Sequence, residues 1–130
     1  MKMHQNPGNL IQLLASYRRV EFPQGAPAAR RARIAETVDN NCAVTIRFAE
    51  NMLRKVQIDG ELLFSLCSLR SEAIALRRAC RSLIGSSRPL PGAKYRLVTL
   101  RSQYDIFMSS VRHFFFLLDH DLAGRIDGAL

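Results

Sequence analysis

Residues 61 to 84 read ELLFSLCSLRSEAIALRRACRSLI, and the spacing of their apolar side chains decides the fold. Leu62, Leu66, Leu69, Ala73, Leu76, Cys80 and Leu83 recur at alternating steps of four and three. An α-helix turns once every 3.6 residues, so this series keeps one apolar line toward a neighbour along the whole stretch. A helix with such a seam lies lengthwise on other helices. Arg70, Arg77 and Arg81 form a second line beside the seam, because steps of seven and four return close to the same azimuth. Leu63, Cys67 and Ile74 fall among those arginines. The apolar surface is therefore wider than one seam needs, which predicts contact with a partner or a second copy.

The pattern repeats on both sides. Downstream, the linker SSRPLPG at 86–92 leads to a helix expected from about Ala93 to Leu118. Leu97, Leu100, Tyr104, Phe107, Val111, Phe114 and Leu118 are its seam. Phe114, Phe115 and Phe116 together span about 200° of a helix circumference, so at least one of them faces outward or into a partner. Upstream, Gln57-Ile58-Asp59-Gly60 is short enough to make its flanking helices antiparallel neighbours, with Asp59 a candidate cap for the helix that follows and Gly85 a natural residue to end it. The helix before that loop is expected from about Ala28 to Val56, on Ile34, Val38, Cys42, Thr45, Ala49, Met52 and Val56, widened by Ile46 and Leu53. Thr37-Val38-Asp39-Asn40-Asn41 are poor helix formers and predict a kink or break. Earlier still, Asn9 caps a short helix expected from Leu10 to Arg19, whose apolar face is Leu10, Leu13, Leu14 and Tyr17. Two prolines and a glycine within 22–27 end it. Residues 1–8 and 119–130 are expected as a leader and a frayed or disordered tail. The expectation is one all-α domain over 1–130, an antiparallel four-helix bundle with one short and three long helices.

A chain of 130 residues can bury a core without metal or disulfide staples, and 48 % hydrophobic residues exclude a disordered one. Nineteen basic against eleven acidic residues give a formal charge of +8, and only Lys2, Lys55 and Lys94 are lysines. Arginine binds phosphate and carboxylate with two parallel hydrogen bonds, so the bias points to an anionic partner. Cys42, Cys67 and Cys80 are odd in number and lie within helical patterns, which predicts buried free thiols in a reducing compartment. MKMHQNPGN has no apolar core of a signal peptide, and the longest apolar run, Phe114 to Leu118, is far short of a membrane span. A cytoplasmic location is expected.

Catalysis needs convergent polar groups, and the sequence offers few. His4, His113 and His120 are scattered; Asp119-His120-Asp121 at a helix end is at most a loose cation site. No phosphate-cradling glycine loop, nucleophile elbow or zinc-protease motif occurs. Arg77 and Arg81 beside Cys80 would lower a thiol pKa, but Cys80 lies on the seam and reads as structural. Arg101 and Asp105 are spaced as a helical ion pair. The chain is expected to be no enzyme and to need no metal or cofactor. The positive signal is distributed charge: Arg33, Arg47 and Arg54 on the second helix, Arg70, Arg77 and Arg81 on the third, Lys94, Arg101 and Arg112 on the fourth, with Arg30 and Arg31 as an added cluster. Few acidic residues share those lines. Backbone phosphates are bound by this kind of geometry without a special motif. The functional expectation is a non-enzymatic basic accessory subunit of a nucleoprotein complex, binding RNA or DNA backbone; the small helical subunits of CRISPR effector complexes are another class with this size, charge and composition. The alternative is a phage- or plasmid-type adaptor or inhibitor that meets an acidic protein.

The order of parts resembles the accessory variability determinant group, the four-helix-bundle proteins that serve reverse transcriptases of diversity-generating retroelements. The likeness rests on a short first helix, Phe22-Pro23, a long helix through Arg33-Ile34, a leucine-rich helix around Leu69 to Leu83, and a last helix with Tyr95 near its start. Where that group tends to carry small residues and a tryptophan, this chain reads Val111-Arg112-His113-Phe114 and has no tryptophan at all. The resemblance implies a basic homo-oligomer that binds a polymerase and its RNA, with the arginines named above as the contacts.

Overall fold

The computed structural model describes residues 12–23, 27–84 and 93–129, and they form an all-α bundle. Residues 12–16 are helical (α1), followed by α2 (Ala28–Lys55), α3 (Gly60–Ile84) and α4 (Ala93–Ala129). α3 is the central helix and packs along both α2 and α4. Its seam is buried as its spacing requires: Leu62, Leu66, Leu69, Ala73, Leu76 and Cys80 all lie in the core, with Leu83 half-buried. The seven seam residues of α4, from Leu97 to Leu118, are buried too. α2 contributes Ile34, Val38, Cys42, Thr45, Ala49 and Met52, and adds Ala35 and Phe48, whose ring meets Phe114 edge-on at 6.1 Å between centroids.

The α2–α3 connection turns on Gly60. Val56 leaves the helix with extended backbone, φ −121° and ψ 132°, and its N–H still donates to the Met52 carbonyl. Gly60 then takes φ +61°, while no atom lies within 4 Å of where its Cβ would be. Backbone conformation, rather than space, therefore calls for glycine here.

Three expectations are corrected. No break interrupts α2 at 37–41, because the side chains that would compete with the helix are engaged in hydrogen bonds and ion pairs. Thr37 and Thr45 donate back to the carbonyls of Arg33 and Asn41, Asp39 pairs with Arg77 on α3, and Asn41 is wholly buried in contacts with other segments. The first helix does not continue to Arg19; it ends at 16, and 17–23 are non-helical. The tail expected to fray instead continues α4 as helical backbone to Ala129. Residues 1–8, Leu10, Gly85 and the 86–92 linker lie outside the described residues.

Residues 17–22 run as a strap antiparallel to α2, on the side facing α4. Tyr17 meets Thr45, Arg18 meets Asn41, and Val20 and Glu21 lie beside Arg33, Ile34 and Thr37. Phe22 packs its ring on Tyr104 of α4. Pro23 favours this extended form by disfavouring the helical region for Phe22. One side chain holds the strap. Asn41 Oδ1 accepts from the Arg18 N–H at 2.9 Å, and its Nδ2 donates to the Arg18 carbonyl at 2.9 Å and to the Tyr104 hydroxyl at 2.9 Å. An amide side chain thus offers one extended residue the donor and acceptor that a neighbouring strand would offer. Thr45 gives its single proton to the Asn41 carbonyl at 2.7 Å, so the Tyr17 hydroxyl is the donor in their 2.6 Å contact.

Candidate nucleic-acid interface

The arginines divide into two groups once the helices are packed. On α2, Arg33, Arg47 and Arg54 share one exposed line. Arg54 is steadied by Asn51 Oδ1 at 2.7 Å, a neutral acceptor that leaves its charge uncompensated. Arg30 is exposed near the start of the same helix, and Arg31 is half-buried. On α3 the outcome differs. Arg70 donates to Glu50 at 2.9 Å and Arg77 to Asp39 at 2.9 Å, both across the α2–α3 interface.

This corrects the expected scarcity of acidic partners. The acids were not on the same lines but on the facing edge of α2, which antiparallel packing brings alongside. Both pairs are partly solvated, with 34 % of Arg77 and 37 % of Arg70 side-chain surface exposed. Screening holds such pairs to about 0.5–1 kcal/mol each. They tie the two helices together, and each guanidinium already has a carboxylate partner. Arg81 remains exposed, and so does Arg78, which the sequence reading passed over.

On α4, Arg101 and Arg112 are exposed. Arg112 reaches Ser109 Oγ at 3.3 Å, and no ion pair joins Arg101 to Asp105. Lys94 belongs to the first turn of α4, and its side chain lies outside the described residues. The strap supplies two further exposed cations, Arg18 and Arg19. They were missed because a helix was expected there, and on a helix they would have no fixed relation to α2. The signal was present in the β-branched and aromatic residues between Tyr17 and Phe22 followed by Pro23. The candidate surface is therefore the outer side of α2 with the strap beside it: Arg18, Arg19, Arg30, Arg33, Arg47 and Arg54.

The remaining chemistry is structural. Burial pushes the Cys80 thiol up to about 12 and raises Cys42 strongly as well; the nearby Arg77 opposes this only in part. The Cys80 thiol is thus the reverse of an activated one. Cys67 is also free but exposed, against the expectation of three buried thiols. Of the three consecutive phenylalanines, Phe114 is buried, Phe115 half-buried and Phe116 59 % exposed, stacked on His120 at 5.0 Å. Leu63 and Ile74 are half-buried, whereas Phe64 on the outer face of α3 is 74 % exposed. Among the described residues no three His, Cys, Asp or Glu side chains converge as a metal site, and no helix is long and apolar enough to cross a membrane. Compared with protein-family models, with curated proteins and with solved structures, the chain matches none.

Proposed function

We propose that this protein is a non-enzymatic basic accessory subunit that binds the phosphate backbone of RNA or DNA along the outer side of α2, within a cytoplasmic nucleoprotein assembly. One observation carries the reading: Arg33, Arg47 and Arg54 stand exposed on one line of α2 with no ion-pair partner among the described residues, while two of the three acids of α2, Asp39 and Glu50, pair with α3 and the third, Glu36, is exposed. Guanidiniums presented in this way exchange water and counterions for phosphate oxygens. Such contacts position a strand without reading its bases. The test is binding to mixed-sequence RNA and DNA as salt is raised. Each phosphate neutralised contributes about −0.7 to −0.9 to the slope of log affinity against log salt. Arg33, Arg47 and Arg54 changed together to Gln should flatten that slope by about two to three units on the same scale. Binding that is absent at low salt, or indifferent to the triple change, refutes the reading.

A second reading, an adaptor or a self-associating subunit, draws on a different observation. Phe64 at 74 % and Phe116 at 59 % exposure, with Val98 and Ile106 on α4, leave apolar surface that a protein partner would cover.

A further inference from the structure

Between the strap and the first half of α2 lies a surface recess of about 370 Å³, lined by Arg19, Val20, Glu21, Arg30, Arg33, Ile34 and Thr37. Its size sits at the small end of the range for small-molecule sites. Three arginines from two separate segments, Arg19 on the strap and Arg30 and Arg33 on α2, belong to its lining. The single acid, Glu21, engages Arg19 at 3.4 Å, and both side chains are largely exposed. Neither Arg30 nor Arg33 has an ion-pair partner among the described residues. Thr37 has committed its proton to the Arg33 carbonyl at 2.9 Å, so its hydroxyl is left as an acceptor on the wall. Val20 and Ile34 are apolar and only partly exposed or buried, and they give the recess a non-polar portion.

We infer that this recess is a binding site for a phosphomonoester, the 5′-phosphate of a nucleotide, either free or at the end of a strand. The charges decide between the two kinds of phosphate. Arg19, Arg30 and Arg33 less Glu21 leave a net charge of +2 in the lining. A monoester carries about −1.5 to −2 at neutral pH. A backbone diester carries a single negative charge, about half to two-thirds of that, and would leave about one positive charge of the lining unmatched. Each guanidinium is a planar fork that can present paired donors to a phosphoryl group. Val20 and Ile34 offer the sugar or base a dry surface. The recess deepens the surface reading, since Arg30 and Arg33 belong to both, but it needs neither Arg47 nor Arg54.

The experiment compares one labelled oligonucleotide with a 5′-phosphate and with a 5′-hydroxyl, by fluorescence anisotropy, alongside calorimetry with adenosine 5′-monophosphate. The phosphorylated strand is expected to bind about tenfold more tightly, the scale of one charge-assisted hydrogen bond. Arg30→Gln with Arg33→Gln should abolish the preference. Arg47→Gln with Arg54→Gln should lower both affinities and keep their ratio. Glu21→Gln should strengthen binding of the phosphorylated ligand. All of these positions are exposed, and circular dichroism melts confirm that folding is retained. Equal affinity for the two strands together with no binding of the monophosphate overturns the inference, even where both strands still bind through Arg47 and Arg54. Monophosphate binding that survives the Arg30 and Arg33 changes overturns it as well. Monophosphate binding that depends on those two residues upholds it, even where neither strand binds.

Discussion

Replacing Asn41 with Leu tests the account of how the strap is held. The change keeps a branched side chain of similar bulk and removes three hydrogen bonds, two to the Arg18 backbone and one to the Tyr104 hydroxyl. Asn41 is wholly buried, so its partners lose a fixed polar contact in a place where water does not freely replace it. An orphaned buried donor or acceptor costs about 1–3 kcal/mol. If the strap stayed docked, three such groups would cost about 3–9 kcal/mol. The strap has a cheaper escape: it can lift and let Arg18 reach water. Lifting gives up the Tyr17–Thr45 contact, the Phe22–Tyr104 packing and the half-buried surface of Val20. We therefore expect a loss of roughly 3–5 kcal/mol, within the range for breaking a buried polar network. For a chain of this size that lowers Tm by roughly 10–20 °C. Urea denaturation followed by circular dichroism measures the first quantity and thermal melting the second. Trypsin supplies an independent readout, since undocking speeds cleavage after Arg18 and Arg19. Asn51→Ala, at an exposed position on the same helix, should stay within about 0.5 kcal/mol of wild type. A melting temperature for Asn41→Leu within about 2 °C of wild type, with unchanged proteolysis, would refute the reasoning, because one unsatisfied group alone should cost more.

Further outcomes follow from the same geometry. Leu66→Ala, at a completely buried seam position, should cost about 2–5 kcal/mol in urea denaturation, and a loss below about 1 kcal/mol would mean that α3 is not the central helix. Arg77→Ala should lower stability by about 0.5–1 kcal/mol and leave the salt slope of polynucleotide binding unchanged, whereas Arg47→Ala should do the opposite; a slope that responds to Arg77 would put α3 at the interface. Stability should be level up to about pH 9 and fall above it. Burial holds the Cys80 thiol near 12 against an ordinary 9.0 and the Tyr17 hydroxyl near 12 against 10.0, and it raises Cys42 and Tyr104 too. The unfolded chain therefore ionises first, binds fewer protons than the folded one and gains from rising pH, thiols before phenols. Urea midpoints should show this, and Cys80→Ala should make the drop between pH 9 and 11 about one group shallower; an unchanged pH profile would count against a buried thiol there.

How much of this was legible in the sequence depends on which forces set each part. The seams of α3 and α4 were readable because hydrophobic burial along a helix is periodic, and every one of those positions except Leu83 is buried. The continuity of α2 was not readable at 37–41, since intrinsic propensity disfavours helix there and the tertiary partners that override it lie at Arg18, Arg77 and Tyr104. The strap escaped for the same reason: its backbone is satisfied by a side chain 23 positions away. Among the arginines, position on a helical line was predictable, but pairing was not. Glu50 and Asp39 lie twenty and thirty-eight positions from the residues they neutralise, so only the packed helices separate Arg70 and Arg77 from the exposed charges of α2.

The strap also constrains the order in which the molecule assembles. α2 and α3 are joined by a tight turn and meet through contacts that close short loops, so the hairpin they form carries little entropic penalty. The strap's seat is different: it has one wall on α2 and another on α4, and Asn41 reaches Tyr104 across 63 positions of chain. That seat does not exist until α4 has docked. A segment made before α2 on the ribosome therefore waits for the last helix before it can settle, and it enters its place late. In native-state hydrogen exchange the Arg18 amide should open more readily than the amides around Leu66, since an element added last to a folding nucleus is the first to leave it.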